Sequence, residues 1–578
     1  MNASKKLVSD VFNGGRILEI PFFQRAYVWD DAQWERLLDD MELISKSNKP
    51  YFLGSVILKQ KPTTTSETVG DVRSVVDGQQ RLTTLSIFFK VLCLHTGDAF
   101  KFDGRFRILN KEKDIALRHN HHDIDSFNKV LDLNELIELN GNGKIIECYN
   151  YFRKHISKRS LDYDRIMNNI MFVGIDLDEK EDEQQIFDTI NSLGVRLTVA
   201  ELLKNFFFGR EDVEDYETNW KPIFEKDDET VDFWEYEVLA GRQKRQNIEL
   251  FFYAFLQIKI NAPNIKVKTE DKLVYTKFDG LFESYKSFIE NYNIDKKEII
   301  QEIKEYATLY YDDILYSDIE EELPEEAGIE RINTLIFGLE NTTLIPYVLY
   351  VLKNTAPTDD NVEIDEERNK IFEILESYIM RRIICRASNK NYNQLFTDRF
   401  IGRNIKTSKD LKAYLDSLEG QVNYMPSHKE VSDGFQNSKI INRQTRGILY
   451  MLESKIRDRS SQSTALLGLT SYSLEHLMPK KWENNWEKLD TEEAKINRNR
   501  KLLTLGNLAI ITSSLNSSIR DANWETKLNG RGERGGLKRF ARGIETMGDF
   551  LERSEWNEEI IEERARFLAH NAIKVWKN

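Results

Sequence analysis

Two groups of polar residues, almost four hundred positions apart, have side chains whose types and spacing suit phosphate chemistry. Near the end of the chain, Glu475 and His476 are followed by Asn507 and Asn516. A neutral imidazole is the side chain best able to take a proton from water near pH 7, so His476 is the candidate general base. Asn516 and Glu475 offer oxygen ligands of the kind that Mg²⁺ or another hard divalent cation prefers, and such an ion stabilises the phosphorane and the leaving oxygen of a cleaved phosphodiester. Asn507 completes the candidate catalytic set by orienting the histidine or locking the turn beside it. Near the start, Asp77-Gly78-Gln79-Gln80-Arg81 lies between a predicted strand and a predicted helix. That puts its last three residues at a helix N-terminus, where unpaired N–H groups and the helix dipole favour an anion. Arg81 adds a charged, bidentate donor for phosphate, and the two amides can hold a base, a ribose or a water.

The elements that position these residues are legible from periodicity. Asp30 precedes a helix whose apolar residues Trp34, Leu37, Leu38, Met41 and Ile44 follow the 3.6-residue repeat. Tyr51 to Lys59 and Val72 to Asp77 read as strands, and Gln80 to His95 as a strongly apolar helix. Thr198 and Glu201 form a capping box for the helix Ala200 to Phe208. Residues 213–440 are acidic, aromatic and helical in pattern, a spacer in which substrate recognition can reside. Towards the end, Tyr472 to Leu477 and Leu502 to Thr512 read as strands and Leu515 to Leu528 as a helix. Strand, strand and helix, with the histidine on the first and the asparagines on the second and third, is the arrangement of a His-Me finger (HNH) nuclease.

The bulk properties limit the alternatives. At 578 residues the chain exceeds one hydrophobic core, so two to four domains are expected, in an α+β and predominantly helical protein. Boundaries are set at 1–212, 213–440 and 441–578. Three distant cysteines, Cys93, Cys148 and Cys385, fit neither a disulfide framework nor a zinc site and point to a reducing cytoplasm. No stretch reaches the roughly 18 apolar residues of a membrane span. The net charge is −14, yet residues 498–542 hold ten Lys or Arg against three acids, a local +7 that reads as a phosphate-binding surface. His119, His121 and His122 with Asp123 lack regular metal-ligand spacing and read as a solvated turn. Residues 530–536 read as a flexible basic loop over DNA, and the chain has no Gly-x-x-x-x-Gly-Lys-Ser/Thr loop for a triphosphate.

Four ordered N-terminal motifs resemble the ParB-like domain of the GmrSD-type modification-dependent restriction enzymes. They are Ile20 to Trp29 (Ile-Pro-Phe-Phe-Gln-Arg-Ala-Tyr-Val-Trp), Tyr51 to Ser55, Asp77 to Leu85, and Ile186 to Asn191 running through Gly194 and Leu197 to Leu203-Lys204-Asn205. The C-terminal residues Leu474 to Pro479, Leu505 to Leu508, Asn516, Asn523-Trp524 and Lys527 resemble the nuclease domain of the same family, with a final helix carrying Trp556, Ile560, Arg564 and Trp576. Lys480 stands where glutamine is frequent there, and Trp524 where phenylalanine is.

The resemblance implies a nucleoside triphosphate site (GTP, ATP or another) at Gln24, Arg25, Asp77, Gly78, Gln79, Gln80 and Arg81, with hydrolysis of that nucleotide. It also implies a ββα-metal C-terminal nuclease and, as substrate, modified double-stranded DNA of phage or other foreign origin. One finger cuts one strand, so a double-strand break favours a homodimer. Two rival readings are a non-catalytic ParB-like nucleotide switch that binds DNA, and a toxin-like nuclease acting on host nucleic acid.

Overall fold

A computed structural model describes residues 2–21, 24, 26–61, 71–108, 114–119, 123–141, 143–178, 198–208, 212–355, 362–458, 465–531 and 534–578. The protein is α+β and predominantly helical, and its chain divides into two compact units, Met1–Glu214 and Asp215–Asn578.

The first unit is built on a six-stranded mixed sheet in the order β1-β6-β3-β4-β2-β5. Its strands are β1 (Asn2–Leu7), β2 (Ile17–Glu19), β3 (Tyr51–Gln60), β4 (Val72–Asp77), β5 (Leu117–Arg118) and β6 (Ile170–Leu177). β3 pairs antiparallel with β4 and parallel with β6, so the strand leading into Asp77 lies inside the sheet. Helix α1 (Asp31–Ser47) starts where expected, because the Asp30 carboxylate accepts from Ala32 N and Gln33 reaches back to complete the capping box. Helix α2 (Gln79–Thr96) is apolar all round, buries residues on every side and runs through the core. Its N-cap, Gly78, has φ 103°, and a Cβ there would meet Val56 Cγ2 at 3.0 Å and Ser55 O at 3.3 Å, so only glycine makes this turn. Helix α3 (Lys144–His155) packs on α2 and carries buried Cys148. Helix α4 (Val199–Phe207) opens with the predicted Thr198–Glu201 capping box. The motif from Ile186 to Leu197 lies outside the described residues, as do Phe22, Phe23, Arg25, His121 and His122.

In the second unit three short helices, Val213–Asn219, Lys221–Phe224 and Asp228–Glu235, precede a small hairpin, β7 (Glu237–Ala240) and β8 (Gln243–Gln246), and further helices follow it. Those used below are α5 (Asn247–Asn261), α6 (Ile345–Asn354), α7 (Val362–Ile384), α8 (Ser408–Asp416) and α9 (Asn442–Ile456). The chain then forms β9 (Tyr472–His476), α10 (Glu492–Lys501), β10 (Leu508–Thr512), α11 (Ser513–Ile519), α12 (Trp524–Asn529) and α13 (Glu558–Val575). The helical middle and the C-terminal segment both fall within the compact unit Asp215–Asn578. Arg331 and Glu376, each at most 2% exposed, form a bidentate pair with both contacts at 2.7 Å, and Trp576 Nε1 donates to the same carboxylate at 2.8 Å. Among the described residues no helix is long and apolar enough to cross a membrane.

Candidate active site

β9 and β10 pair antiparallel with His476 opposite Leu508 and Glu475 opposite Ala509. The second strand is shorter than predicted, because Leu502 ends α10 and Leu505–Asn507 is a 3₁₀ turn. Packing forces that turn: a Cβ at Gly506 would lie 2.1 Å from Ile561 O, so α13 sits directly on its backbone. The predicted helix Leu515–Leu528 is two helices, broken at Arg520 (φ 40°), with Asn523 capping the second through Thr526 N.

His476 ends β9, half-buried, and its ring makes no hydrogen bond to any described residue. Burial, followed by the charges of Lys480 and Lys527, pushes its pKa down to about 4, so the imidazole is neutral at pH 7. Asn516 reaches from α11 to β9, where its Nδ2 donates to Ser473 Oγ at 2.9 Å and Leu474 O at 3.2 Å. Its Oδ1 has no partner among the described residues. Ser473 and Glu475 alternate onto the same face of the strand, so Glu475 shares the side that Asn516 approaches. Glu475 is buried and ion-paired through Oε1 with Lys527 Nζ, which also donates to His476 O at 2.7 Å. Burial raises the Glu475 pKa and lowers that of Lys527, while their mutual attraction opposes both shifts.

Asn507 is fully buried and uses its whole side-chain capacity. Nδ2 donates to Met478 O (2.9 Å) and Leu502 O (3.0 Å), and Oδ1 accepts from Met478 N (2.8 Å) and Trp556 Nε1 (3.0 Å). Its carbonyl also accepts from Leu477 N at 2.9 Å. These bonds hold the turn that follows His476.

At the N-terminal turn the motif residues largely hold one another. Asp77 accepts from Ser55 Oγ (2.8 Å) and Arg81 Nη2 (3.1 Å), and Arg81 Nη2 also donates to Ser55 O (2.8 Å). Arg81 Nε is buried with no acceptor among the described residues. Gln80 clasps the preceding loop through Val28 N (3.0 Å) and Ala26 O (3.2 Å), and Gln24 donates to Val76 O (3.1 Å). Gln79 is buried at the first turn of α2, and Arg25 lies outside the described residues.

The chain from residue 7 to 208 matches the N-terminal domain of the GmrSD restriction endonucleases, and residues 425–571 match their C-terminal domain. The chain belongs to the GmrSD restriction endonuclease family. Among curated proteins, none matches it. The two GmrSD matches leave residues 209–424 outside them.

Within this GmrSD chain, tertiary structure alters two sequence readings. The basic window of residues 498–542 is less available than its sum suggested: Arg498 pairs with Glu558, Lys501 with Glu562 and Lys527 with Glu475, all three cations being buried, and Lys538 contacts Glu552. Arg500, Arg520, Arg531, Arg539 and Arg542 are exposed. His119 and Asp123 do not form a solvated turn. Both are buried, with His119 Nε2 2.7 Å from Thr83 Oγ1 and Asp123 Oδ2 accepting from Tyr27 N at 2.7 Å.

Sequence reasoning quoted Ser55, Tyr27 and Lys527 without assigning them roles. Tyr27 Oη joins Thr84 Oγ1 (2.6 Å) to Trp34 Nε1 (2.8 Å) and so ties the loop motif to α1 and α2. Lys527 had a readable signal: a glutamate on the buried face of a strand needs a cation.

Proposed function

We propose that this chain is a divalent-metal-dependent DNA endonuclease that restricts modified foreign DNA, with a nucleoside triphosphate at the N-terminal turn controlling the cut. The observation carrying this reading is the His476 ring at the end of β9, without a hydrogen bond to any described residue, beside a helix that brings in Asn516, whose Oδ1 likewise has no partner among them. Strand, strand and helix in that order support a His-Me finger (ββα-metal) assignment. His476, held neutral by burial and two lysines, takes the proton of the attacking water. Asn507 keeps the turn behind it in place. Lys480, exposed four residues on, is available to the scissile phosphate.

The donor set fits a hard cation. Asn516 Oδ1 makes no hydrogen bond to any described residue, and the Glu475 carboxylate, held by Lys527 and the His476 backbone, adds oxygens on the same face of β9. Such an ion supplies charge stabilisation to the pentacovalent phosphate and the leaving oxygen. Lys527 neutralises carboxylate oxygen Oε1 and fixes the Glu475 rotamer.

At the N-terminal turn, the N–H groups that open α2 and the orphaned Arg81 Nε fit the phosphates of a nucleotide. Gln24, Gln80 and Asp77 position that turn, in a ParB-like arrangement. Hydrolysis of the nucleotide then belongs to this unit and cutting to the other. Cleavage of both strands requires two fingers and so two copies of the chain.

Digestion of unmodified, methylated, glucosylated and phosphorothioated duplexes, with Mg²⁺ or chelator and with or without each nucleoside triphosphate, tests the reading. The expected result is Mg²⁺-dependent cutting confined to a modified duplex and altered by a nucleotide. Asn516→Ala should lose cutting and recover part of it at higher Mg²⁺. Cutting of all duplexes alike in chelator would overturn it.

A further inference from the structure

We propose that the cavity beside residues 391–423 is a nucleotide-reading pocket, which takes a base swung out of the DNA duplex together with its phosphate. The inference rests on the DNA reading above and assigns the recognition step to the helical middle. The cavity measures about 600 Å³, within the roughly 300–1,000 Å³ typical of small-ligand pockets and large enough for a base with a bulky substituent. Asn391, Gln394, Arg399, Arg403, Tyr414 and Asn423 line it.

Each of these side chains has a use in holding a nucleotide. The Arg403 guanidinium lies over the Tyr414 ring, 5.2 Å from its centroid, and so presents a flat cationic surface on which a base can stack. Asn391, Gln394 and Asn423 carry amides, which donate and accept and thus match base edges. Asn423 Oδ1 is buried without a partner among the described residues, an acceptor left for a donor that the protein does not supply. Arg399 contacts Asp398 only at 3.4 Å on an exposed surface, so its charge remains available to a phosphate. No lining residue is an acid, in a chain of net charge −14.

The backbone is unusual at the same place. Leu395–Ile401 forms seven residues of π-helix, a geometry that occurs mostly as short bulges at functional sites, and Asn404 just beyond it is left-handed at φ 58°. Tyr414 comes from α8 on the opposite wall. A cavity with a stacking plane and four amides, Gln421 being the fourth, fits a base, and extrusion is one way for an enzyme to distinguish a modified base inside a duplex. The pocket also lies in the segment outside both family matches, residues 209–424, where specificity can differ from chain to chain without disturbing the cutter.

The test uses the full chain and two labelled duplexes, one with 2-aminopurine correctly paired and one with it mismatched, together with free deoxynucleoside monophosphates. A mismatched base is cheaper to extrude, so the chain should bind the mismatched duplex at least about fivefold tighter, with a change in 2-aminopurine emission. Arg403→Gln, at an exposed position, and Tyr414→Ala, at a half-buried one, both checked for folding by circular dichroism, should lose that preference and the emission change while keeping the affinity for the paired duplex. Persistence of both signals in both variants overturns the proposal. So does a full chain that shows no preference, no emission change and no binding of monophosphates. Binding of monophosphates, lost in the two variants, by a chain with no affinity for duplex would instead retain the pocket as a site for free nucleotides and defeat the DNA reading.

Discussion

The two polar motifs are built on opposite plans. At the N-terminal turn, Asp77, Arg81, Ser55, Gln80 and Gln24 bond mainly to one another and to nearby backbone. At the C-terminal hairpin the supporting residues Asn507, Lys527 and Trp556 are hydrogen-bonded, while the His476 ring and Asn516 Oδ1 make no hydrogen bond to any described residue. The difference separates a turn whose polar groups are engaged by internal contacts from a hairpin whose candidate catalytic groups are left without such contacts among the described residues. Preorganisation of this second kind suits chemistry, because nothing need be broken before a proton moves. The first kind suits a switch, since a ligand that displaces an internal contact changes the protein as it binds.

The strongest way to break the comparison is to remove the support of the hairpin. Lys527→Ala leaves Glu475 buried without its cation and should cost about 3–5 kcal/mol of stability, read as a large fall in the urea midpoint. Combining it with Glu475→Gln should recover much of that loss, whereas an unchanged midpoint in Lys527→Ala would deny that the pair supports the strand. Next in size, Asn507→Ala orphans buried groups of Met478, Leu502 and Trp556 and should cost on the order of 3 kcal/mol. Its cleavage rate should fall as the turn behind His476 loosens.

Effects on the N-terminal side are smaller. Arg81→Ala should weaken nucleotide binding at least about tenfold, roughly 1.4 kcal/mol, and abolish nucleotide control of cutting. The fold should survive, because Asp77 keeps Ser55. Calorimetric titration giving an unchanged dissociation constant would move the nucleotide elsewhere. The last effect is a pH slope. Burial pushes the His119 pKa from 6.5 down to about 3, so below pH 6.5 the unfolded chain takes a proton that the folded one refuses. Stability should therefore fall as pH drops from about 6.5 towards 3, and His119→Gln should flatten that slope between pH 6.5 and 5 whatever its effect on absolute stability.

Much of the first unit was legible because its signals are local. The apolar repeat after Asp30 gave α1, and the alternating run ending at Asp77 gave β4 and the start of α2. The misreadings share a different cause, which is that tertiary contacts decide them. Leu502 to Thr512 looks like one apolar strand until α13 packs on Gly506 and turns its first half into a 3₁₀ bend. The charge of residues 498–542 sums to +7 in sequence, but Glu558, Glu562 and Glu475 reach its cations from elsewhere. His119 carries no periodic mark of burial, and only the fold brings Thr83 against it. For the candidate site, the residue types and the nine-residue spacing from Asn507 to Asn516 were readable, whereas the division into reactive and supporting side chains was not. That division depends on which atoms are already bonded.

The central claim, a cutter at His476 with the nucleotide site in the other unit, is tested most directly by assaying full-length His476→Ala and the parent chain side by side for DNA cleavage in Mg²⁺ and for nucleotide hydrolysis. The account predicts that the variant remains folded, loses at least about a hundredfold in cleavage rate and hydrolyses nucleotide as the parent does. Cleavage retained within a few-fold of the parent, or nucleotide turnover lost together with cleavage, would contradict it.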